Sequence, residues 1–219
     1  MNLRKKIAPI IFGLVALSCF AYDGPMIDGH AHWGDSFNEE AVLDRYAKSG
    51  VVAQIVMPRY LGVKGDWPTT DETVLEVAAR HPNKIFVLAG MQRPDFTYMN
   101  WNSPDSNSQK ILKEIDKKLE EKKVYGIGEV LVRHWAYANE GRTGQHAEID
   151  KRFDTVFIRQ IATIAIKHQV PIVIHMEGYP ELVKEVDAVL KEQPNLRLVW
   201  AHGCGRSGPE VIRGLLISH

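Results

Sequence analysis

Short apolar, β-branched runs alternate along the chain with amphipathic stretches. The runs are Met26–Ile27, VVAQIVMP (51–58), KIFVLAG (84–90), VYGIGEVLV (124–132), VPIVIHME (170–177) and LRLVWAHG (196–203). Several are nearly continuous in hydrophobicity, the pattern of strands covered on both faces. Between them lie segments with helical spacing. FNEEAVLDRYAKSG (37–50) aligns Ala41, Val42, Leu43, Tyr46 and Ala47 and stops at Gly50. TTDETVLEVAARHP (69–82) opens at Thr70 or Asp71 and closes near Pro82. SQKILKEIDKKLEEKK (108–123), EIDKRFDTVFIRQIATIAIKHQ (148–169), PELVKEVDAVLKEQ (180–193) and GPEVIRGLLISH (208–219) predict four more helices. Two long loops are predicted, from Gly90 to about Ser106 and over 133–148. Regular β-α alternation predicts a parallel sheet with right-handed crossovers.

The first 21 residues break this pattern. Arg4, Lys5 and Lys6 precede an apolar stretch from Ile7 to Phe20, and Ala21 follows. The stretch is too short for an ordinary transmembrane helix and reads as a secretory signal peptide. This predicts residues 1–21 as a leader and 22–219 as the folded domain, in a periplasmic or secreted protein. VALSC also loosely resembles a lipoprotein box, with Cys19 as the lipidated residue and the protein membrane-anchored; Ala16 fits that box poorly. With Cys19 removed, Cys204 alone remains, so no intramolecular disulfide can form.

Composition narrows the function. The chain of 219 residues is 45% hydrophobic and 25% charged, an ordinary globular balance. Lys and Arg number 27, as do Asp and Glu. With no basic excess to hold phosphate backbones, a small-molecule substrate is expected and nucleic acid is not. No segment after the leader predicts a transmembrane span, and oligomers are allowed.

Ionisable groups recur at the C-terminal ends of the predicted strands: His30 and His32 on the first, Glu129 in the fourth, His175 on the fifth and His202 on the sixth. Residues two apart on a strand point the same way. In a parallel barrel these ends share one mouth, where barrel enzymes place their sites. Four imidazoles and a carboxylate there suit a divalent metal, zinc first and manganese as the alternative. A lone strand-end histidine is usually a hydrogen-bonded core or surface residue; the joint placement carries the reading. Glu129, inside IGEVLV, is costly to bury unless a metal, an arginine or backbone amides relieve its charge.

IDGHAH, GIGEV, PIVIHMEG and LVWAHG, with ARHPNKIFVLAG, resemble the metal-dependent amidohydrolase superfamily, especially its amidohydrolase-related (amidohydrolase-2) branch. The resemblance covers residues 26 to about 216. It implies a distorted (β/α)8 TIM-type barrel, of which about six β-α units are present. It implies His30 and His32 as ligands of one metal. In two-metal members His175 and His202 hold the second, with Glu129 bridging as in TatD-like deoxyribonucleases. In one-metal members His175 joins the first metal, and His202 orients the attacking water or the substrate.

The same resemblance implies a closing aspartate on an eighth strand, serving as metal ligand and general base. After His202 the sequence holds only one more helix, whereas such barrels take roughly 250 residues. The chain therefore reads as truncated at its C-terminus, with weak or absent activity as it stands. Asp28 is read as supporting the site, as is Glu177, two residues from His175. Arg59, Arg93, Arg133 and His134 follow strands on the mouth side and are candidates for holding an anionic substrate, with solvated or ion-paired loop roles as the alternative. Trp33 walls the pocket or packs; Phe96, Tyr98 and Trp101 line a lid or pack under the loop; Cys204 reads as a small buried thiol. The expected function is an exported metal-dependent hydrolase acting through metal-activated water on an amide, lactone or other ester. The alternatives are a metal-dependent decarboxylase, a catalytically inactive metal-binding chain, and a metal-free binding domain.

Overall fold

A computed structural model describes residues 22, 24–33, 38–60, 69–134, 149–205 and 207–219. The leader and lipid-anchor readings, at residues 1–21, lie outside them, as does most of the second predicted loop. Among the described residues, no helix is long and apolar enough to cross a membrane.

Six strands form a parallel arc. β1 (Met26–Trp33) pairs with β2 (Val51–Pro58), and β2 with β3 (Ile85–Val87). β4 (Ile127–Leu131) pairs with β7 (Pro171–His175), and β7 with β8 (Arg197–Trp200). The two halves join at a parallel bridge between Ala89 and Ile127, where Ala89 N–H donates to Gly126 O at 2.9 Å and Gly128 N–H to Ala89 O at 3.0 Å. The helices are α1 (Glu39–Lys48), α2 (Asp71–Arg80), α4 (Ser106–Glu120), α5 (Val156–His168), α6 (Pro180–Glu192) and α8 (Pro209–Ser218), with short turns α3 (Pro94–Tyr98) and α7 (Ala201–Cys204). This is a partial (β/α) barrel of six β-α units.

Local chemistry sets the element ends. Asn38, Thr70, Asp105 and Thr155 cap α1, α2, α4 and α5, each side-chain oxygen accepting a first-turn backbone N–H. Pro180 and Pro209 open α6 and α8, where a missing N–H costs nothing. The helical stripes then bury against the strands: Ile111, Leu112, Ile115 and Leu119 from α4, Phe157, Ile158 and Ile161 from α5, Leu182, Val186 and Val189 from α6. They meet Val56, Ile127, Ile172 and Ile174 in one core. α1 and α8 bury no residue fully.

Four sequence expectations change. β1 does not stop at Ile27 but runs through both histidines, because β2 continues to pair with it as far as Pro58. The loop expected from Gly90 to Ser106 contains α3, opened by Pro94, with Phe96 and Trp101 packed on Phe157 at ring distances of 4.8 and 5.2 Å. The helix expected from Glu148 starts only at Val156, where Thr155 caps it; Ile149–Asp150 form β6, antiparallel to β5 (Arg133–His134). β8 ends at Trp200, so His202 stands in the turn beyond it.

Candidate metal centre

Backbone irregularities aim the site. The β4–β7 register shifts between Ile127 and Val130, a bulge of the kind that redirects a side chain. Gly128 permits it: a Cβ there would lie 2.8 Å from Val173 Cβ and 3.1 Å from Val173 O. Glu129, next along, is 2% exposed and faces the mouth. A second register shift separates Asp28 from Ala31 in β1. Asp28 Oδ1 accepts the His30 backbone N–H at 3.1 Å and its Oδ2 the Tyr46 hydroxyl at 2.9 Å, pinning the turn of backbone that delivers the histidines. His202 has φ 58°, a left-handed conformation disfavoured for a side-chain-bearing residue; it leads a run of positive φ through Gly203, Cys204 and Gly205.

All four strand-end histidines converge on Glu129. Oε1 lies 3.6 Å from His30 Nε2, 3.3 Å from His175 Nδ1 and 3.6 Å from His202 Nε2. Oε2 lies 3.1 Å from His32 Nε2 and accepts the Gln92 amide at 2.8 Å. Ring centroids are 5.1 Å apart for His30–His32, 4.9 Å for His30–His202 and 5.0 Å for His175–His202. One ligand atom each from His30, Glu129 and His202 falls within 4.8 Å of the others.

The donor set fits a cation. His32 Nδ1 lies 3.1 Å from Met57 O, which can only accept, so Nδ1 carries the proton. A neutral His32 then turns the lone pair of Nε2 toward the acceptor Oε2, and a proton or a metal must stand between them. Such a backbone partner on the outer nitrogen is how metal-ligating histidines are oriented. Burial pushes the His30 pKa down, against the attraction of Glu129 and with help from its three imidazole neighbours, favouring the neutral, ligating form. Burial alone would raise the Glu129 pKa; hydrogen bonding to His175 and His32, with the fields of His32 and His30, carries it below the usual carboxylate range. Among the described residues no lysine or arginine touches this carboxylate.

The other candidates sit elsewhere. Arg93 is 7% exposed and turned inward, donating to Gly90 O at 2.9 Å, Tyr60 Oη at 2.9 Å and Asp71 Oδ2 at 3.2 Å. Trp33 is buried in the core with its indole N–H on Gln54 Oε1 at 3.1 Å. Arg133 pairs with Asp150 across the β5–β6 ladder. His134 stacks 5.1 Å from His175, beside the cluster. The Arg59 backbone N–H is held by Thr69 Oγ1 at 2.9 Å. Glu177 is buried, as is Cys204, whose thiol pKa burial raises. Phe96 and Trp101 are buried and Tyr98 is exposed, so this segment packs as core more than it lines a lid. Gln92 escaped the sequence reading: an amide in a presumed loop carries no charge or period, and only adjacency to the end of β3 hinted at the mouth.

Comparison with known proteins bears on the fold and the family. No curated protein matches the chain. The fold matches an uncharacterized TIM-barrel protein, Bb4693, from Bordetella bronchiseptica, with TM-score 0.53 and 14% identity over 82% of this chain and 56% of that one. It also matches 4-oxalomesaconate hydratase from Rhodopseudomonas palustris, with TM-score 0.51 and 16% identity over 80% of this chain and 52% of that one. The chain thus spans about half the length of these structures. The family model for TatD-related DNases matches residues 27–210, a span that holds all four histidines and Glu129. The chain belongs to the TatD-related DNase family of the metal-dependent amidohydrolase superfamily.

Proposed function

We propose that the protein is a metal-dependent hydrolase that attacks an amide, lactone or other ester with water. The convergence of four imidazoles on one buried carboxylate at the strand ends carries this reading. A divalent metal, zinc or manganese and one ion or two, would be held by His30, His32, Glu129, His175 and His202. When bound it supplies Lewis acidity toward a carbonyl or phosphoryl oxygen and makes water a competent nucleophile near neutral pH.

The chain's own residues set the stage. Met57 O fixes the His32 tautomer, and Asp28 fixes the backbone that carries His30. Glu129 gathers the ligands through Oε1 and Oε2. The His202 side chain is half exposed, the most accessible of the four, and is placed to orient the attacking water or to accept its proton. His134, whose ring lies 5.1 Å from that of His175, is the candidate nearest the cluster for contact with an anionic substrate, with Arg59 and Arg133 beyond it. The leader-like pattern of residues 1–21 supports export.

The family description favours a second substrate class, a phosphodiester. The balanced charge of the chain argues for a short oligonucleotide over long duplex. The test is hydrolysis of generic esters and lactones, and of a short oligodeoxynucleotide, by protein stripped with chelator and reloaded with zinc or manganese. Metal-restored turnover on either class, lost in His30→Ala/His32→Ala, is the expected result. Turnover indifferent to chelator would end the proposal, and carbon dioxide release would redirect it to decarboxylation.

A further inference from the structure

Gln92 is tied to the site and to a second buried network at once. Its amide nitrogen donates to Glu129 Oε2 at 2.8 Å, and a carboxylate accepts only, so the orientation of the amide is fixed. The residue is 7% exposed and lies in the segment that follows β3. That segment is clamped from outside the site. Asp71 Oδ1 accepts Gly90 N–H at 2.8 Å, and Arg93 Nε donates to Gly90 O at 2.9 Å. Arg93 and Lys118 then meet on Asp71 Oδ2, at 3.2 and 2.9 Å. The Arg93 guanidinium also lies over the Tyr60 ring, 4.1 Å from its centroid. Gln92 is thus fixed between two braced residues, Gly90 and Arg93.

The two oxygens of Glu129 consequently differ. Oε2 has a permanent donor in Gln92 and one imidazole, His32. Among the described residues, Oε1 has no amide donor and faces three imidazoles, His30, His175 and His202. Without the amide the plane of the carboxylate could turn about its last bond and carry an oxygen away from the three imidazoles. We propose that Gln92 is a positioning residue that fixes the plane of the Glu129 carboxylate, so that the oxygen not held by the amide is kept directed at the ligand set of His30, His175 and His202. This rests on the metal-dependent reading above, and concerns the orientation in which the carboxylate is offered.

The experiment uses the full chain, stripped of metal and titrated with Co²⁺. Gln92→Met keeps the length of the side chain and removes the donor. The expected result is a metal-free variant that still unfolds in one cooperative transition at a modestly lower temperature, Co²⁺ affinity weakened about 10–100-fold as for other losses of outer partners, and a changed Co²⁺ absorption spectrum. Gln92→Asn, whose amide falls one methylene short of Oε2, is expected to weaken affinity in the same direction, and gives the reading if the Met variant fails to fold. Wild type that binds Co²⁺ alongside variants with affinity within twofold and an identical spectrum would overturn the role of Gln92 alone. Wild type that binds no Co²⁺ would overturn both this inference and the metal-dependent reading.

Discussion

Two of the buried carboxylates, Asp71 and Glu129, have partners that differ in kind. Asp71, fully buried at the start of α2, sits between Arg93 and Lys118 and also accepts Gly90 N–H. Glu129, nearly as buried, meets four imidazoles and one amide. Arginine and lysine are charged at any physiological pH, so the charge of Asp71 is met at all times by the protein itself. Imidazoles near neutral pH are mostly uncharged, and an uncharged imidazole can offer a lone pair. The first arrangement is self-sufficient and braces the fold. The second, among the described residues, meets no fixed cation and is balanced by protons or by a cation from outside. The type of partner, more than the burial of the charge, separates a structural site from a chemical one.

The largest expected effect tests this contrast directly. Asp71→Asn leaves two cations sharing a neutral amide, and breaking a buried pair in this way costs about 3–5 kcal/mol. Glu129→Gln, equally isosteric, is expected to cost clearly less in the metal-free protein and to abolish metal binding. Urea unfolding of both variants, with chelator and with metal, provides the measurement. Equal losses in chelator would erase the distinction.

A smaller effect is expected from Gly128→Ala. The added Cβ would press on Val173 Cβ at 2.8 Å, an overpacking that costs about 1–3 kcal/mol and moves Glu129 as the strands part. Thermal unfolding reads the first consequence and metal titration the second. Loss of stability with unchanged metal affinity would show that the bulge does not aim the carboxylate.

The smallest effect concerns pH. Burial foremost, then the charge of Asp71, pushes the Tyr60 hydroxyl up to about 12, against the pull of Arg93. The folded protein keeps a proton that the unfolded chain loses near pH 10. The corresponding stability is whole below pH 10 and is lost as pH rises from there toward about 12. Phenolate absorbance of wild type minus Tyr60→Phe should titrate near the upper value, and the decline in stability across this window should be shallower in the variant. A midpoint near 10 would mean that the Asp71 network is open to water.

Much of the metal cluster was legible in the sequence, because strands have a short period. His30 and His32, two apart on one run, had to share a side, and Glu129 stood out as a charge inside IGEVLV. His175 and His202 closed apolar runs. What escaped depends on distance along the chain. The contacts of Asp71 reach 19 residues to Gly90 and 47 to Lys118, so no local pattern announces them. Arg93 looked like a substrate-binding cation because its inward turn is set by that distant carboxylate. Gln92 carries no charge to catch the eye. The α3 turn and β5 read as loop, and β6 as the start of a helix, because all three are too short to show periodicity.

The central claim is that the imidazoles and Glu129 form a metal centre. Calorimetric titration of chelator-stripped wild type and His30→Ala/His202→Ala with zinc tests it most directly. The account predicts one or two ions bound by the wild type and affinity lowered at least 100-fold in the variant, which removes two of the three groups whose ligand atoms lie within 4.8 Å of one another. Wild type that binds no zinc, or a variant that binds it as tightly as wild type, would contradict the account.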